Sequence, residues 1–267
     1  VSFDYLLTDH PAWQTDGNDL HRLLTDDKDA AWLLTVRGSR ATFRAVSGDD
    51  PPPRVATFLA PSPAPPQAAP IHEALSALGT VGRQHNPSLW DALATAIVRQ
   101  VIRAGQARRL YREFCLRFGP GVALSDETDI HSFPSPERVL TLSDDDFTHS
   151  GMAFKRKPLR HAAQAFLAHG EAWSRLAPSV LVKELQTIPG IGPWSAGAAV
   201  ADWSNDWALY PYGDLAIRTW ARRANPDHHW PADEPSFARA WRRVTGDSLA
   251  TYTVLTLALG CRHSGSI

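Results

Sequence analysis

Between residues 31 and 46, apolar and polar side chains alternate on either side of a Gly38-Ser39 pair (AWLLTVRGSRATFRAV), which predicts a β-hairpin. Prolines then crowd the chain at 51, 52, 53, 61, 63, 65, 66 and 70. Each lacks a backbone N–H and fixes its φ, so 50–70 is expected to be loop or linker. Beyond residue 85 the apolar period lengthens. Leu89, Leu93, Ile97, Val101 and Ile102 fall at three- and four-residue spacings and predict one apolar helix face. Ser135 followed by Pro136 reads as an N-cap and first helical position. A helical pattern runs through 161–168; Leu181, Leu185 and Ile188 mark another helix, and 237–259 supplies one or two more. No strand is expected past residue 80, and no repeat at solenoid periods is present. The chain therefore reads as a small α+β domain over 1–80, with a Pro-rich linker at about 50–70, and a helical domain over 81–267.

With 267 residues, 43% of them hydrophobic, a sizeable core needs no staples. Cys115 and Cys261 are too few for a four-cysteine metal site or a disulfide framework. No apolar run reaches 18 residues, and the first nine residues lack the basic-then-apolar order of a signal peptide. The expectation is a soluble cytoplasmic protein, nucleoid-associated in a bacterium, monomeric and without membrane contact. A net charge of −1 argues against a polyanionic partner until the chain is divided. Residues 1–80 carry a net −4 and residues 81–267 a net +3. Residues 86–119 hold six arginines against two acids, and residues 155–183 six basic residues against one acid. Such local basic faces permit DNA binding through phosphate contacts.

The chemistry concentrates in 180–224, VLVKELQTIPGIGPWSAGAAVADWSNDWALYPYGDLAIRTWARRA. A helix is expected to end near Thr187, Pro189-Gly190-Ile191-Gly192 to turn tightly, and Pro193 to open the next helix. The two glycines allow positive φ and close backbone approach. Amide N–H groups left unpaired at the helix start suit a phosphate, although most turns of this kind merely join two helices. Twenty residues after Trp194 stands Asp214, ahead of Leu215-Ala216-Ile217. It is either a helix N-cap or a reacting carboxylate. Asp202 and Asp206 are the competing acids. Lys155-Arg156-Lys157 either contacts phosphate or forms a solvated basic turn. His228-His229 has no partner at metal-ligand spacing and reads as exposed loop. The ten tryptophans, mostly at helical positions, read as core.

The order L-x-x-I-P-G-I-G-x-W-[ST]-A with its downstream aspartate resembles the helix-hairpin-helix DNA glycosylase superfamily. The chain is most similar to the 3-methyladenine DNA glycosylase II branch, which excises alkylated bases. Segments 93–110 and 133–162 extend the likeness, which spans roughly residues 86–243. The resemblance implies a mainly α fold of two helical subdomains behind the small α+β domain. It implies duplex DNA bearing a damaged base as partner, Asp214 as the catalytic carboxylate, and Trp194 in the base pocket. Pro189, Gly190, Ile191, Gly192 and Pro193 would grip a phosphate. Gln100 and Val101 would form the wedge that fills the gap left by a flipped base, although Val101 also fits the apolar helix face. The backbone carbonyls of Gln186, Ile188 and Gly190 would hold Na+ or K+, with no cofactor required.

A carboxylate is what the reaction asks for, because cleaving an N-glycosidic bond builds positive charge on the sugar. Bifunctional members of the superfamily carry a lysine where this chain has Trp194. Without that amine, hydrolysis without strand cleavage is expected. The indole is either core or a face on which an electron-poor, cationic base stacks. The chain departs from the branch at Ala198, where the family has an aromatic, and after Trp241-Arg242-Arg243, where Val244 comes next and Tyr252 is the next aromatic. These departures put the substrate in question. Three readings stay open: excision of an alkylated base, excision of an oxidised, deaminated or mismatched base, or a damage sensor that binds without excising.

Overall fold

The computed structural model describes residues 2–28, 30–124 and 128–264. Strands β1 (Tyr5–Leu6), β2 (Gln14–Asp16), β3 (Asp19–Thr25), β4 (Ala31–Arg37), β5 (Arg40–Ser47) and β6 (Val55–Phe58) fill the first part of the chain. Helix α1 (Ala69–Ser76) and strand β7 (Val81–Gln84) come next. The remainder is helical: α2 (Leu89–Arg99), α3 (Ala104–Phe118), α4 (Pro136–Thr141), α5 (Asp144–His149), α6 (Arg156–Trp173), α7 (Pro178–Leu185), α8 (Pro193–Ser204), α9 (Leu215–Ala224), α10 (Glu234–Thr245) and α11 (Leu249–Ser264). A short hairpin, β8 (Gly121–Ala123) and β9 (Asp129–His131), interrupts them between α3 and α4.

The expected β-hairpin is β4–β5, paired from Arg37↔Arg40 up to Ala31↔Ser47 around Gly38 at φ +57°. It belongs to a four-stranded antiparallel sheet ordered β2-β3-β4-β5. Ser135 caps α4 by accepting the Arg138 N–H, with Pro136 in the first turn. Three expectations fail. The proline-rich 50–70 segment is not a linker, because Val55–Phe58 lies in a proline-free gap and pairs with β7. Strands occur beyond residue 80, and β7 is the middle strand of a three-stranded sheet with β1 parallel on one side and β6 antiparallel on the other. That sheet therefore joins residues from both sides of position 80. Four consecutive residues of β7 are buried on both faces, which erases the alternation that marks a strand. Finally, the predicted apolar helix through 89–102 ends at Arg99, and a new helix starts at Ala104.

One continuous core runs from Leu7, Ile71 and Leu75 through α2, α8 and α11. Helix α2 packs on α8, and small residues make this contact close: Ala196, Ala198, Ala199 and Ala201 are all buried. Gly197 could not gain a side chain, since a Cβ there would come within 2.8 Å of the Leu209 carbonyl. This packing sets the end of α2 beside the turn that begins α8, where Gln100 bonds Gly190 and Ser195. Among the described residues no helix is long and apolar enough to cross a membrane.

Candidate active site

The turn between α7 and α8 is rooted by Ile188 and Ile191, each 4% exposed, while Pro189, Gly190, Gly192 and Pro193 face solvent. The Ile191 N–H donates to the Ile188 carbonyl at 3.0 Å and closes the turn. Gly190 sits at φ +92°, where an L side chain is strained and would also press on Pro158. Gly192 occupies the N-cap of α8 with no side chain to bond the helix's first amides, and Pro193 lies in the first turn. The positive end of a twelve-residue helix is thus presented uncapped beside an exposed glycine turn.

The end of α2 is stitched to this turn. The Gln100 amide donates to the Gly190 carbonyl at 3.0 Å and to Ser195 Oγ at 2.7 Å. From the other side, Lys155 Nζ donates to the Gln100 carbonyl at 2.7 Å. Lys155 is 3% exposed, and burial lowers its pKa to about 8. Between these anchors Val101 is held at φ +61° with its side chain fully exposed. A β-branched residue at positive φ is a genuine outlier, and it costs about 1–3 kcal/mol. Val101 therefore leaves the helix face on which periodicity placed it. Gln100, the other residue assigned to the wedge, does not project; its amide is committed to the hairpin. Phe154, 54% exposed and next to Lys155, is an apolar side chain near this point that sequence reasoning missed, since nothing in its spacing marks it.

Asp214 occupies the N-cap position of α9, yet its side chain makes no capping bond. One of its oxygens instead accepts from the Tyr210 hydroxyl at 3.2 Å. The competing acids are spent elsewhere. Asp202 is buried and bound by Arg83 at 2.5 Å and by Asn86 at 2.8 Å. Asp206 caps the short 3-10 turn Trp207–Leu209 through the Ala208 N–H. Trp194, in the first turn of α8, is half-buried, and the Arg99 guanidinium carbon lies 6.0 Å from its ring centre. Arg99 stays charged: burial acts to lower its pKa, but Tyr210, Asp9, Asp214 and Asp202 lift it above the ordinary value. Burial, with Asp214 next to it, raises the Tyr210 hydroxyl far above the usual phenol range, so it remains a donor.

Other residues weighed from sequence lie elsewhere or are already paired. Ala198 is buried between the helices, and Trp241 is buried with its indole N–H on Thr253 and rings of Trp230 and Phe237 around it. Tyr252 bonds His72. Arg156 pairs with Asp144 at 2.7 Å, which leaves Lys157 as the exposed member of its basic triplet. His228 stacks edge-on against Trp230. Among the described residues no cluster of three His, Cys, Asp or Glu could hold a metal ion. The carbonyls of Gln186, Ile188 and Gly190 lie on one turn; two already accept a hydrogen bond, and each retains a second lone pair.

No family model matches the sequence, and no curated protein matches it. Solved structures do match. The 3-methyladenine DNA glycosylase from Archaeoglobus fulgidus superposes with a TM-score of 0.71 at 16% identity, covering 98% of this chain and 93% of that one. The 8-oxoguanine glycosylase/lyase from Clostridium acetobutylicum, bound to duplex DNA with cytosine opposite 8-oxoguanine, gives 0.64 at 11% identity, covering 99% and 100%. A DNA-3-methyladenine glycosidase from Bacillus halodurans gives 0.54 at 16% identity, covering 79% and 95%. The chain thus has the helix-hairpin-helix DNA glycosylase fold, mainly α with a small sheet-containing N-terminal part.

Proposed function

We propose that the protein is a monofunctional DNA glycosylase that hydrolyses the N-glycosidic bond of a modified base flipped out of duplex DNA, the opening step of base excision repair. The observation that carries this reading is Asp214. It stands at a helix start without its side chain capping it, and among the described residues the one hydrogen bond to its carboxylate comes from Tyr210. A carboxylate at an N-cap that leaves the cap unmade is available for another task.

In the reaction the C1′–N bond breaks and its electron pair leaves with the base. Asp214 stabilises the positive charge that develops on the sugar. A water molecule forms the new C1′–O bond; Asp214 orients it and takes up its proton, which is passed on to the departing base. The products are a free base and an abasic site. Tyr210 fixes the carboxylate without neutralising it. Trp194 supplies an aromatic wall for the extruded base and no amine for Schiff-base chemistry. The one amine described beside the wedge, Lys155, is engaged with the Gln100 carbonyl.

Exposed amides at Gly190, Gly192 and the start of α8 bind a backbone phosphate. Na+ or K+ held by the Gln186, Ile188 and Gly190 carbonyls would add positive charge there. The uncharged, all-oxygen donor set fits a monovalent cation. Val101 enters the gap that the flipped base leaves.

The test is single-turnover base release from duplexes carrying one lesion each, with wild type and Asp214→Asn. The expected result is release by wild type and a loss of about a thousandfold in the variant. Equal rates overturn the role of Asp214. A covalent adduct trapped by borohydride overturns the monofunctional reading. Tight binding to damaged duplex with no release from any lesion turns the protein into a damage sensor.

A further inference from the structure

Arg99 closes α2, one residue before the Gln100 that bonds the hairpin. Among the described residues its guanidinium has no ion-pair or hydrogen-bond partner, and its one close ring is Trp194 at 6.0 Å. The other interior arginines differ. Arg22 is bound to Asp91 at 3.3 Å, and Arg83 to Asp202 and Asp9 at 2.5 and 3.3 Å. Arg99 is half-buried at the seam of α2 and α8, in the field of Asp214 and Tyr210. The space that the proposed function gives to the base, against Trp194 and beside Asp214, therefore has next to it a permanent cation whose fork of donors is unspent.

This cation has two consequences for a base entering that space. A cationic base, such as an N7-alkylated guanine, would sit beside a fixed positive charge and would contend with Arg99 for the indole face. A neutral base with a ring carbonyl next to an acceptor nitrogen, as at O6 and N7 of a purine, offers what a guanidinium binds in bidentate fashion. The same contact would take up the electron density that moves onto the base as the glycosidic bond breaks. We propose that Arg99 is the specificity-determining residue of the pocket, selecting neutral, carbonyl-bearing purines of the deaminated kind and rejecting cationic N-alkylated ones. This inference rests on the excision reading, and it reverses the expectation that Trp194 stacks on a cationic base.

The experiment compares duplexes containing hypoxanthine or 7-methylguanine, the latter differing from guanine by a methyl group and a positive charge. Release is measured under single turnover, with the non-enzymatic rate subtracted, for wild type, Arg99→Gln and Arg99→Lys. Binding is measured in parallel on duplexes whose lesion nucleotide carries a 2′-fluorine, which resists cleavage by destabilising the sugar cation. Wild type is expected to release hypoxanthine at least tenfold faster than 7-methylguanine, and to bind in the same order. Arg99→Gln is expected to shift both ratios toward 7-methylguanine by about tenfold. Arg99→Lys keeps the charge and loses the fork, so it should still exclude 7-methylguanine while releasing hypoxanthine more slowly. If Arg99→Gln does not fold, that lysine variant decides alone.

A wild-type preference for 7-methylguanine overturns the proposal. So do ratios unchanged by Arg99→Gln, or equal handling of both bases by Arg99→Lys. Binding in the expected order without release of any base supports the pocket assignment while overturning excision. Absence of both release and preference overturns the two together.

Discussion

Asp91 on α2, Asp202 on α8 and Asp214 at the start of α9 meet opposite fates. Asp91 and Asp202 lie inside a saturated network. The Asp91 carboxylate accepts from Asn86, Arg22 and Tyr111, and that of Asp202 from Arg83 and Asn86. His10 completes it: Nδ1 accepts the Ala12 N–H, so the ring is neutral with its proton on Nε2, facing Asp91 at 3.2 Å and Thr95 at 3.0 Å. Among the described residues the Asp214 carboxylate has one hydrogen-bond partner, the Tyr210 hydroxyl. All three sit near arginines, but Arg22 and Arg83 are bound to carboxylates while Arg99 is not. On the proposed function, what separates a structural acid from a reacting one is how many of its lone pairs are already taken. The network also gives the N-terminal sheet a purpose, because His10, Arg22 and Arg83 come from that part of the chain and brace α2 and α8.

The sharpest way to break the comparison is to neutralise one acid from each region. Asp214→Asn should lose about a thousandfold in base release, some 4 kcal/mol in the barrier, with a melting temperature near wild type. Asp202→Asn should do the reverse. It leaves the buried Arg83 guanidinium short of its nearer carboxylate, at a cost of about 3 kcal/mol in stability. That corresponds to roughly 10 °C in thermal unfolding for a chain of this size. If Asp202→Asn unfolds at the wild-type temperature while Asp214→Asn does not, the two roles have been assigned the wrong way round.

Acid should act on the saturated network in two stages. Burial and the neighbouring Arg22 lower the His10 pKa below its ordinary 6.5, and burial also lowers His85. The unfolded chain therefore takes up these protons first. Stability is complete above about pH 6.5 and is lost as pH falls through the lower folded values. Burial alone would raise the Asp91 carboxyl, but His10, Arg22 and Tyr111 hold it down to about 2. Its contribution is present above about pH 4 and disappears as pH drops toward 2. Chemical denaturation from pH 8 to pH 3 should show the midpoint declining from near pH 6.5 downward. In His10→Gln the upper part of that decline should shrink; an unchanged profile would remove His10 from the account.

How much of this was legible in the sequence depends on range. The hairpin turn, its proline-opened helix, the Ser135 cap and the β4–β5 pair are local, and glycine, proline and alternation announce them. Asp214 could be located by its spacing from Trp194, but cap and reacting group share a position. Only the absent capping bond separates them. Arg99 had no signal, since in one dimension it is the polar residue at the end of an apolar stripe. Strand β7 was invisible because both its faces are covered, and β6 because prolines surround it. Val101 misled: its spacing fits the helix face, but the bonds that end the helix come from Gly190, Ser195 and Lys155, between 54 and 94 positions away.

Val101 offers the smallest effect and the most informative one, because stability and function should move in opposite directions. A valine at φ +61° stores strain of about 1–3 kcal/mol, and glycine reaches that conformation freely. Glycine also gains entropy in the unfolded chain, which offsets part of the relief, so Val101→Gly should stabilise the protein by about 1 kcal/mol. Nothing packs on the side chain to be lost, as it is fully exposed. The same substitution removes the atoms that would fill the gap in the duplex, so base release should fall about tenfold, chiefly through weaker binding of damaged DNA. Lys155→Met separates conformation from bulk: it keeps the valine but withdraws the bond to the Gln100 carbonyl that holds the turn. A modest loss of release with Val101 intact would show that the strained turn matters as well as its side chain. If Val101→Gly is instead less stable and fully active, the exposed valine is neither strained nor a wedge. The contrast between a relaxed, saturated interior and a strained, unsaturated site would then rest on Asp214 and Arg99 alone.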